Sequence, residues 1–391
     1  MLYLVLILLL LAAPLAGGLS FPVSRRAALV TTAGSLSTGI LPGVSSATPS
    51  SSQTILLTGA TPGGIGFEAA KRFLSVPGTT VILPARTLAK STSTVAALEG
   101  LPGKAIAAEC DLGSLASIAA FVATLKGTQL DTICLNAGLA PSISQKTVSR
   151  TADGFEETVG VNHFGHFALM EYGVKGMLKK GGRVVITASG VHDPDSPGGK
   201  QGSLATLGEL EGLETLGRSC EMINGGPYDP DKAYKDSKLC NVFFTRELQR
   251  RCPELSVNCF TPGLIVGTGL FRNQNKVFTK VFDVAATNLL RVGESVEWGG
   301  GALAYMALSS DLESSRGKYY GAKPGASKDG EAGESVILHG DLTSLIANTT
   351  RLVAAFGTSF NVDAVSKEVI AGEAAGRGKR LWELSESLTK L

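Results

Sequence analysis

Thr54-Ile55-Leu56-Leu57-Thr58-Gly59-Ala60-Thr61-Pro62-Gly63-Gly64-Ile65-Gly66 is the stretch that decides the fold. Thr54 to Leu57 is a short apolar run of the kind that forms a buried parallel strand. It leads directly into a glycine-rich turn, and a helical pattern follows in Phe67, Ala70, Phe73 and Leu74. Strand, glycine-rich turn and helix, in that order, are the context a dinucleotide-binding loop requires. Glycine lets the backbone approach a pyrophosphate, and a helix N-terminus offers N–H groups and the positive end of its dipole. Any tight strand-to-helix turn favours glycine, so the flanking elements carry the reading. Thr58, Gly59, Gly64, Ile65 and Gly66 are its candidate cofactor contacts.

Working outward, a second strand is expected over Thr79–Leu83, followed by Pro84-Ala85-Arg86. In this kind of fold an acid near the end of the second strand takes the ribose 2′-hydroxyl of NAD, and an arginine suits the 2′-phosphate of NADP. No acid lies between Val81 and Arg86, and a guanidinium matches phosphate geometry. The expected cofactor is NADPH; the plainer alternative is a solvated surface arginine. The expected architecture is α/β, a Rossmann-type doubly wound parallel sheet in three α/β/α layers.

The 391 residues are 44% hydrophobic and 18% charged, with a formal net charge of +2. So small a charge argues against a nucleic-acid partner, which needs a basic surface to neutralise phosphates. Residues 1–52 hold two basic residues, Arg25 and Arg26, and no acid; without them 34 basic residues face 34 acidic ones. Leu2–Ala16 is almost wholly apolar. At about 1.5 Å per residue it falls short of a ~30 Å hydrocarbon core. It suits the apolar part of a secretory signal, with a retained short anchor as the alternative. The Ser/Thr/Ala-rich, acid-free stretch after Phe21 has transit-peptide composition. Together they resemble the bipartite presequences of secondary plastids, with an ordinary secreted protein as the bland alternative. Residues 1–52 are therefore expected to be a removable presequence, and 53–391 a single domain. The six cysteines form no disulfide-framework spacing, and the four histidines no metal-ligand spacing; no metal is expected.

Further segments fall in a fixed order. Cys110-Asp111-Leu112 closes a third strand. Ile133-Cys134-Leu135-Asn136-Ala137-Gly138 is a strand ending in Asn-Ala-Gly. Val161-Asn162-His163 opens a central helix. Ser189 follows the strand Arg183–Thr187, Tyr234-Lys235-Asp236-Ser237-Lys238 has the form Tyr-x-x-x-Lys, and Pro262-Gly263 follows the next strand. This set is identified as belonging to the short-chain dehydrogenase/reductase family. Within it the chain resembles the light-dependent protochlorophyllide oxidoreductases, through Ala233–Asn241, through Thr268–Arg272, through a long insertion at His192–Asp231 with a helix start at Leu204–Leu210, and through the C-terminal Leu381–Leu388.

The resemblance implies Tyr234, Lys238, Ser189 and Asn162 as catalytic residues. It adds Asp111, Leu112, Asn136, Ala137, Gly138, Lys238, Pro262 and Gly263 to Arg86 and the loop as cofactor contacts. Tyr234 and Lys238 are four apart and share a helix face, so a nearby ammonium is expected to lower the phenol pKa. Ser189 would orient substrate or phenol, and Asn162 would hold the central helix and a water-linked proton path. The implied reaction is light-driven reduction of protochlorophyllide, with hydride to C17 and a proton to C18, in a plastid. The implied pocket is formed by the His192–Asp231 insertion and the segment after Pro262-Gly263. Peripheral thylakoid association through hydrophobic loops is implied, and a homo-oligomer is compatible. The alternatives are a dark reductase of a carbonyl or another pigment, and a non-catalytic pigment- or NADPH-binding protein.

The chain also departs from the family. The cofactor loop is one residue longer before Gly64, leaving its middle glycine unassigned. Leu264 stands where those enzymes usually carry Cys, Gly317–Tyr320 replaces a Trp-rich strand, and an extra stretch near 325–365 has no assigned role.

Overall fold

The computed structural model describes residues 52–265, 293–323 and 359–390. The chain divides into two units, residues 1–48 and 49–391. The expected presequence, Thr268–Arg272 and most of the 325–365 insertion lie outside the described residues.

Eight strands form one sheet: β1 (Gln53–Leu57), β2 (Thr79–Ala85), β3 (Lys104–Glu109), β4 (Leu130–Leu135), β5 (Leu178–Thr187), β6 (Ser256–Thr261), β7 (Tyr319–Ala322) and β8 (Phe360–Val362). Their order is β3-β2-β1-β4-β5-β6-β7-β8. All neighbouring pairs are parallel except β7 with β8. The chain winds outward from β1 in both directions, so the loops after β1 and β4 diverge and leave a crevice at the carboxyl ends of the strands. β8 closes the sheet as a hairpin. Ala322 pairs with Phe360, and Lys323 N–H donates to Ser359 O at 2.9 Å.

The two faces carry separate cores. On one, Ile55, Leu57, Val81 and Leu83 meet α1 (Ile65–Leu74) and α7 (Val296–Leu308). On the other, Leu56, Ile133 and Val184 meet α3 (Leu115–Thr124), α4 (Gly165–Glu171), α6 (Pro230–Arg251) and the C-terminal α9 (Arg377–Leu388). Strands whose side chains are buried on both faces read as continuous apolar runs, which is why β1 was legible. Shorter helices among the described residues are α2 (Leu88–Ala96), α5 (Glu211–Leu216) and α8 (Lys367–Ala374).

Two packing details fix the crevice. α7 lies on α1 through glycines: a Cβ on Gly300 would sit 2.3 Å from Glu68 Cβ and 2.9 Å from Ala69 N, so the helix that opens at the glycine-rich turn is held at its closest approach. On the other face, Trp382 of α9 packs against Phe167 and Phe244, with ring centroids at 4.8 and 5.8 Å.

The His192–Asp231 insertion folds inward. Ala205, Leu207, Leu210, Leu213 and Ile223 join the main core. Three charges of α6 pin it: Lys235 donates to Ser203 O at 2.8 Å, Asp236 Oδ1 accepts from Thr206 N–H at 3.0 Å, and Lys232 bonds both Asp236 and Thr206 O. The helix expected from Leu204 begins only at Glu211. Leu210 adopts φ +70° instead, because Leu207 and Leu210 turn into the core before the helix starts.

Candidate active site

A cavity of about 650 Å³ opens at the carboxyl ends of β1, β2, β4, β5 and β6. Fifteen of the expected site residues line it, from Thr58, Gly59, Gly64 and Ile65 through Arg86, Asp111, Leu112 and Asn136 to Gly138, Ser189, Tyr234, Lys238 and Pro262-Gly263, with Ala137 between. Gly66 and Asn162 stand behind its wall.

The turn after β1 shows why glycine is needed. Gly59 has φ +74°, and a Cβ there would lie 2.6 Å from Ala137 Cα; any other residue would push the β1 and β4 loops apart. A Cβ on Gly66 would lie 2.4 Å from Gly59 O, so this glycine lets α1 approach the turn. Gly64 caps α1 in an extended conformation. The extra residue is absorbed at Gly63, whose φ is +81° with open space around it.

Thr58 and Asn136 tie this turn to the β4 loop. Thr58 Oγ1 accepts from Asn136 N–H and Ala137 N–H at 2.9 and 3.0 Å. Asn136 Nδ2 donates to Thr58 O and Gly59 O, and its Oδ1 accepts from Thr187 Oγ1. Both side chains thus brace the crevice from within. Behind them, His166 Nδ1 meets Asn162 O at 3.2 Å and Nε2 meets Thr58 Oγ1 at 3.0 Å. Because a carbonyl only accepts, Nδ1 carries the proton and Nε2 accepts from the threonine hydroxyl. Burial holds His166 at about 4, so it stays neutral.

Arg86 follows β2 and stands half exposed, its Nε 3.7 Å from Asp111 Oδ1. Lys90, one turn into α2, lines the same wall; the sequence reading missed it. Its signal was the Arg-x-x-x-Lys spacing, which puts both cations at one strand end.

At the other end, α6 presents Tyr234 and Lys238. Asp229 caps this helix through Oδ1 to Asp231 N–H and Lys232 N–H, with Pro230 in its first turn, a start that suits proline. Lys238 Nζ lies 5.7 Å from the Tyr234 ring centroid and donates to Thr187 O at 3.1 Å. Burial pulls the ammonium down to about 8 and pushes the Tyr234 hydroxyl up to about 12, offset in part by a hydrogen bond with Ser189. The expected lowering of the phenol pKa by the lysine is therefore corrected. Burial is the largest influence on the phenol, with only the Ser189 hydrogen bond acting against it, and Tyr234 stands as a neutral O–H donor.

Asn162 sits in a single π turn, Gly160–Phe164, fully buried. Its Oδ1 accepts from Leu139 N–H, and its Nδ2 donates to Leu139 O and Ser237 Oγ, at 2.9, 2.9 and 3.0 Å. Both amide protons are engaged, so it locks the β4 loop onto α6 beside Lys238. His192 ends a single 3-10 turn, Gly190–His192, its Nδ1 2.7 Å from Ser189 O. Leu264 lines the cavity and bridges to Gly293. The insertion contributes only its C-terminal end to the wall, Pro230 and Asp231, because its apolar residues face the core. The segment after Ile265, the other expected pocket element, lies outside the described residues until Gly293. Among the described residues no cluster of His, Cys, Asp or Glu could hold a metal, and no helix is long and apolar enough to cross a membrane.

The short chain dehydrogenase family model matches residues 53–200. A protochlorophyllide reductase of Marchantia paleacea is 30% identical over 353 residues, covering 86% of this chain and 68% of that one. Protochlorophyllide reductase B of Oryza sativa subsp. japonica is 32% identical over 290 residues, covering 70% and 72%; both are named chloroplastic. A short chain dehydrogenase from Burkholderia cenocepacia, solved with NADP, shares the fold at TM-score 0.50 and 21% identity, over 69% of this chain and 95% of that one. The chain belongs to the short-chain dehydrogenase/reductase family of oxidoreductases and is similar to its protochlorophyllide reductases.

Proposed function

We propose that the protein is an NADPH-dependent reductase of a protochlorophyllide-type pigment, acting in a plastid after the pigment absorbs light. The observation that carries the reading is one cavity with two cations, Arg86 and Lys90, at one end and the Tyr234–Lys238 pair with Ser189 at the other. The glycine-rich turn at the N-terminus of α1, capped by Gly64, suits close approach of a pyrophosphate. Arg86 and Lys90 would hold the 2′-phosphate, and Lys238 the nicotinamide ribose. Bound there, NADPH supplies the hydride. Lys238 points its ammonium along the crevice floor from Thr187, and Asn162 keeps the β4 loop and α6 in register. Ser189 orients the Tyr234 hydroxyl, whose neutral O–H donates the proton to C18 while C17 is reduced. The relatives' names support the pigment and the plastid, and residues 1–52 are read as the targeting segment. The ~650 Å³ cavity lies within the range of small-molecule sites.

The second reading, dark reduction of a carbonyl, is favoured by Leu264 in the cavity wall, which offers no proton. The purified protein is mixed with NADPH and protochlorophyllide, and absorption is followed in darkness and after a flash. Light-dependent chlorophyllide, weaker with NADH, is expected. Pigment binding without conversion would support a binding protein, and dark NADPH oxidation with a ketone would support the second reading.

A further inference from the structure

We infer that His192 is a positioning residue for the reaction: its ring holds the peptide plane after Ser189 and so aims the serine hydroxyl at Tyr234. The inference rests on the reductase reading above, in which Ser189 orients the acid Tyr234. It adds the residue by which Ser189 is itself set.

His192 stands behind the cavity wall, 1% exposed, while its neighbour Val191 lines the cavity. It closes the turn that begins directly after Ser189. The Ser189 carbonyl accepts twice from this one residue, from the backbone N–H at 3.2 Å and from ring Nδ1 at 2.7 Å. A carbonyl oxygen only accepts, so Nδ1 carries a ring proton. The nitrogen of the same peptide plane is held too, Gly190 N–H donating to Thr261 Oγ1 at 3.2 Å. On the strand side, Ala188 N–H donates to Phe260 O at 2.8 Å. Fixed before and after, the Ser189 Cα presents its side chain in one direction, where the hydroxyl bonds with Tyr234.

Packing alone does not account for a histidine here. The ring stands edge-on to Tyr319, with centroids 4.8 Å apart and planes at 65°. Its Nε2 is buried with no hydrogen-bond partner among the described residues. A side chain that only filled the space beside Tyr319 would do so better as leucine or phenylalanine, because a buried nitrogen without a partner costs stability. The turn needs only the backbone N–H. What the imidazole adds is the Nδ1 donor, and its target is the carbonyl of Ser189.

The test measures turnover of the purified full-length protein with NADPH and protochlorophyllide in saturating light, and with NADPH and acetophenone in darkness. NADPH affinity is followed by the cofactor's fluorescence, and folding by melting temperature. Two variants without the donor, His192→Leu and His192→Phe, should lower kcat roughly 10- to 100-fold, with KM and NADPH affinity within about twofold, since a small misplacement at a reacting group slows the chemistry. His192→Asn, whose Nδ2 stands where the ring carries Nδ1, should keep kcat within about threefold of the parent. In a Ser189→Ala background, His192→Leu should change kcat by less than about twofold, because residues that act as one unit do not add. A packing role would instead lower the melting temperature in every variant and add to the loss from Ser189→Ala. Full turnover without the donor, equal damage or misfolding in all three variants, or additive losses with Ser189→Ala overturns the inference. Turnover of acetophenone alone overturns the pigment reading, and the same comparisons on the ketone decide the inference; turnover of neither substrate overturns both.

Discussion

At the residue scale the site is organised by what each polar atom is already bonded to. Tyr234 is neutral, half-buried and hydrogen-bonded with Ser189, so its role is to donate. Tyr234→Phe should leave NADPH binding within about twofold and lower turnover by roughly 10²- to 10⁴-fold, the usual reach of general acid catalysis; full activity in that variant would remove the acid role. His166 makes a different demand. Thr58 Oγ1 already accepts two N–H bonds, from Asn136 and Ala137, so it has no lone pair for a protonated imidazole. Burial holds His163 at about 3 and His166 at about 4, while in the unfolded chain both take up protons below about pH 6.5. Between pH 6.5 and 4 these two histidines bind more protons in the unfolded state and lower stability as the pH falls, outnumbering the opposite contribution of Asp236, whose carboxyl is raised by burial to about 7. The denaturant midpoint should therefore drop from pH 7 to pH 5, and His166→Gln should flatten the drop; a midpoint of the unsubstituted protein that does not move would contradict the assignment. None of this was legible from Val161-Asn162-His163-Phe164-Gly165-His166 alone, because hydrogen-bond satisfaction joins residues over 100 positions apart.

At the scale of elements, the strands and the order of motifs could be read because burial on both faces leaves an unmistakable apolar run, as in Ile55-Leu56-Leu57. What could not be read was where side chains of a loop point. Leu204–Leu210 has helical residues, yet the chain turns at Leu210 because its neighbours enter the core. The same limit hid the purpose of the three consecutive glycines Gly299-Gly300-Gly301 in α7, which poor helix propensity would mark as a break. Gly299 and Gly300 let α7 lie on α1. Gly300→Ala should force the helices apart and cost about 1–3 kcal/mol, as overpacking does, seen as a lower melting temperature. It should also weaken NADPH binding, because α1 carries the turn that faces the cavity. Unchanged melting and binding would show that the contact yields without consequence.

At the scale of the molecule, the sheet order was readable as a class, and the crevice followed from it, since a doubly wound sheet opens where its connections diverge. The placement of the insertions was not. The hairpin neck at β7 and β8 carries one more implication. The 35 residues from 324 to 358 leave and rejoin the sheet at adjacent positions, Lys323 and Ser359. In polymer terms what closure requires is the separation of those two ends, and the neck fixes it whatever the length of chain between them. Replacing them with a two-residue Asn-Gly turn shortens the loop by roughly four doublings, worth about 2 kcal/mol in stability. Such a deletion should melt no lower than the parent and still bind NADPH; a collapse in expression or melting would mean that the loop supports the fold. The neck thus marks this edge of the sheet as the place to test whether sequence can be gained or shed without renegotiating the core.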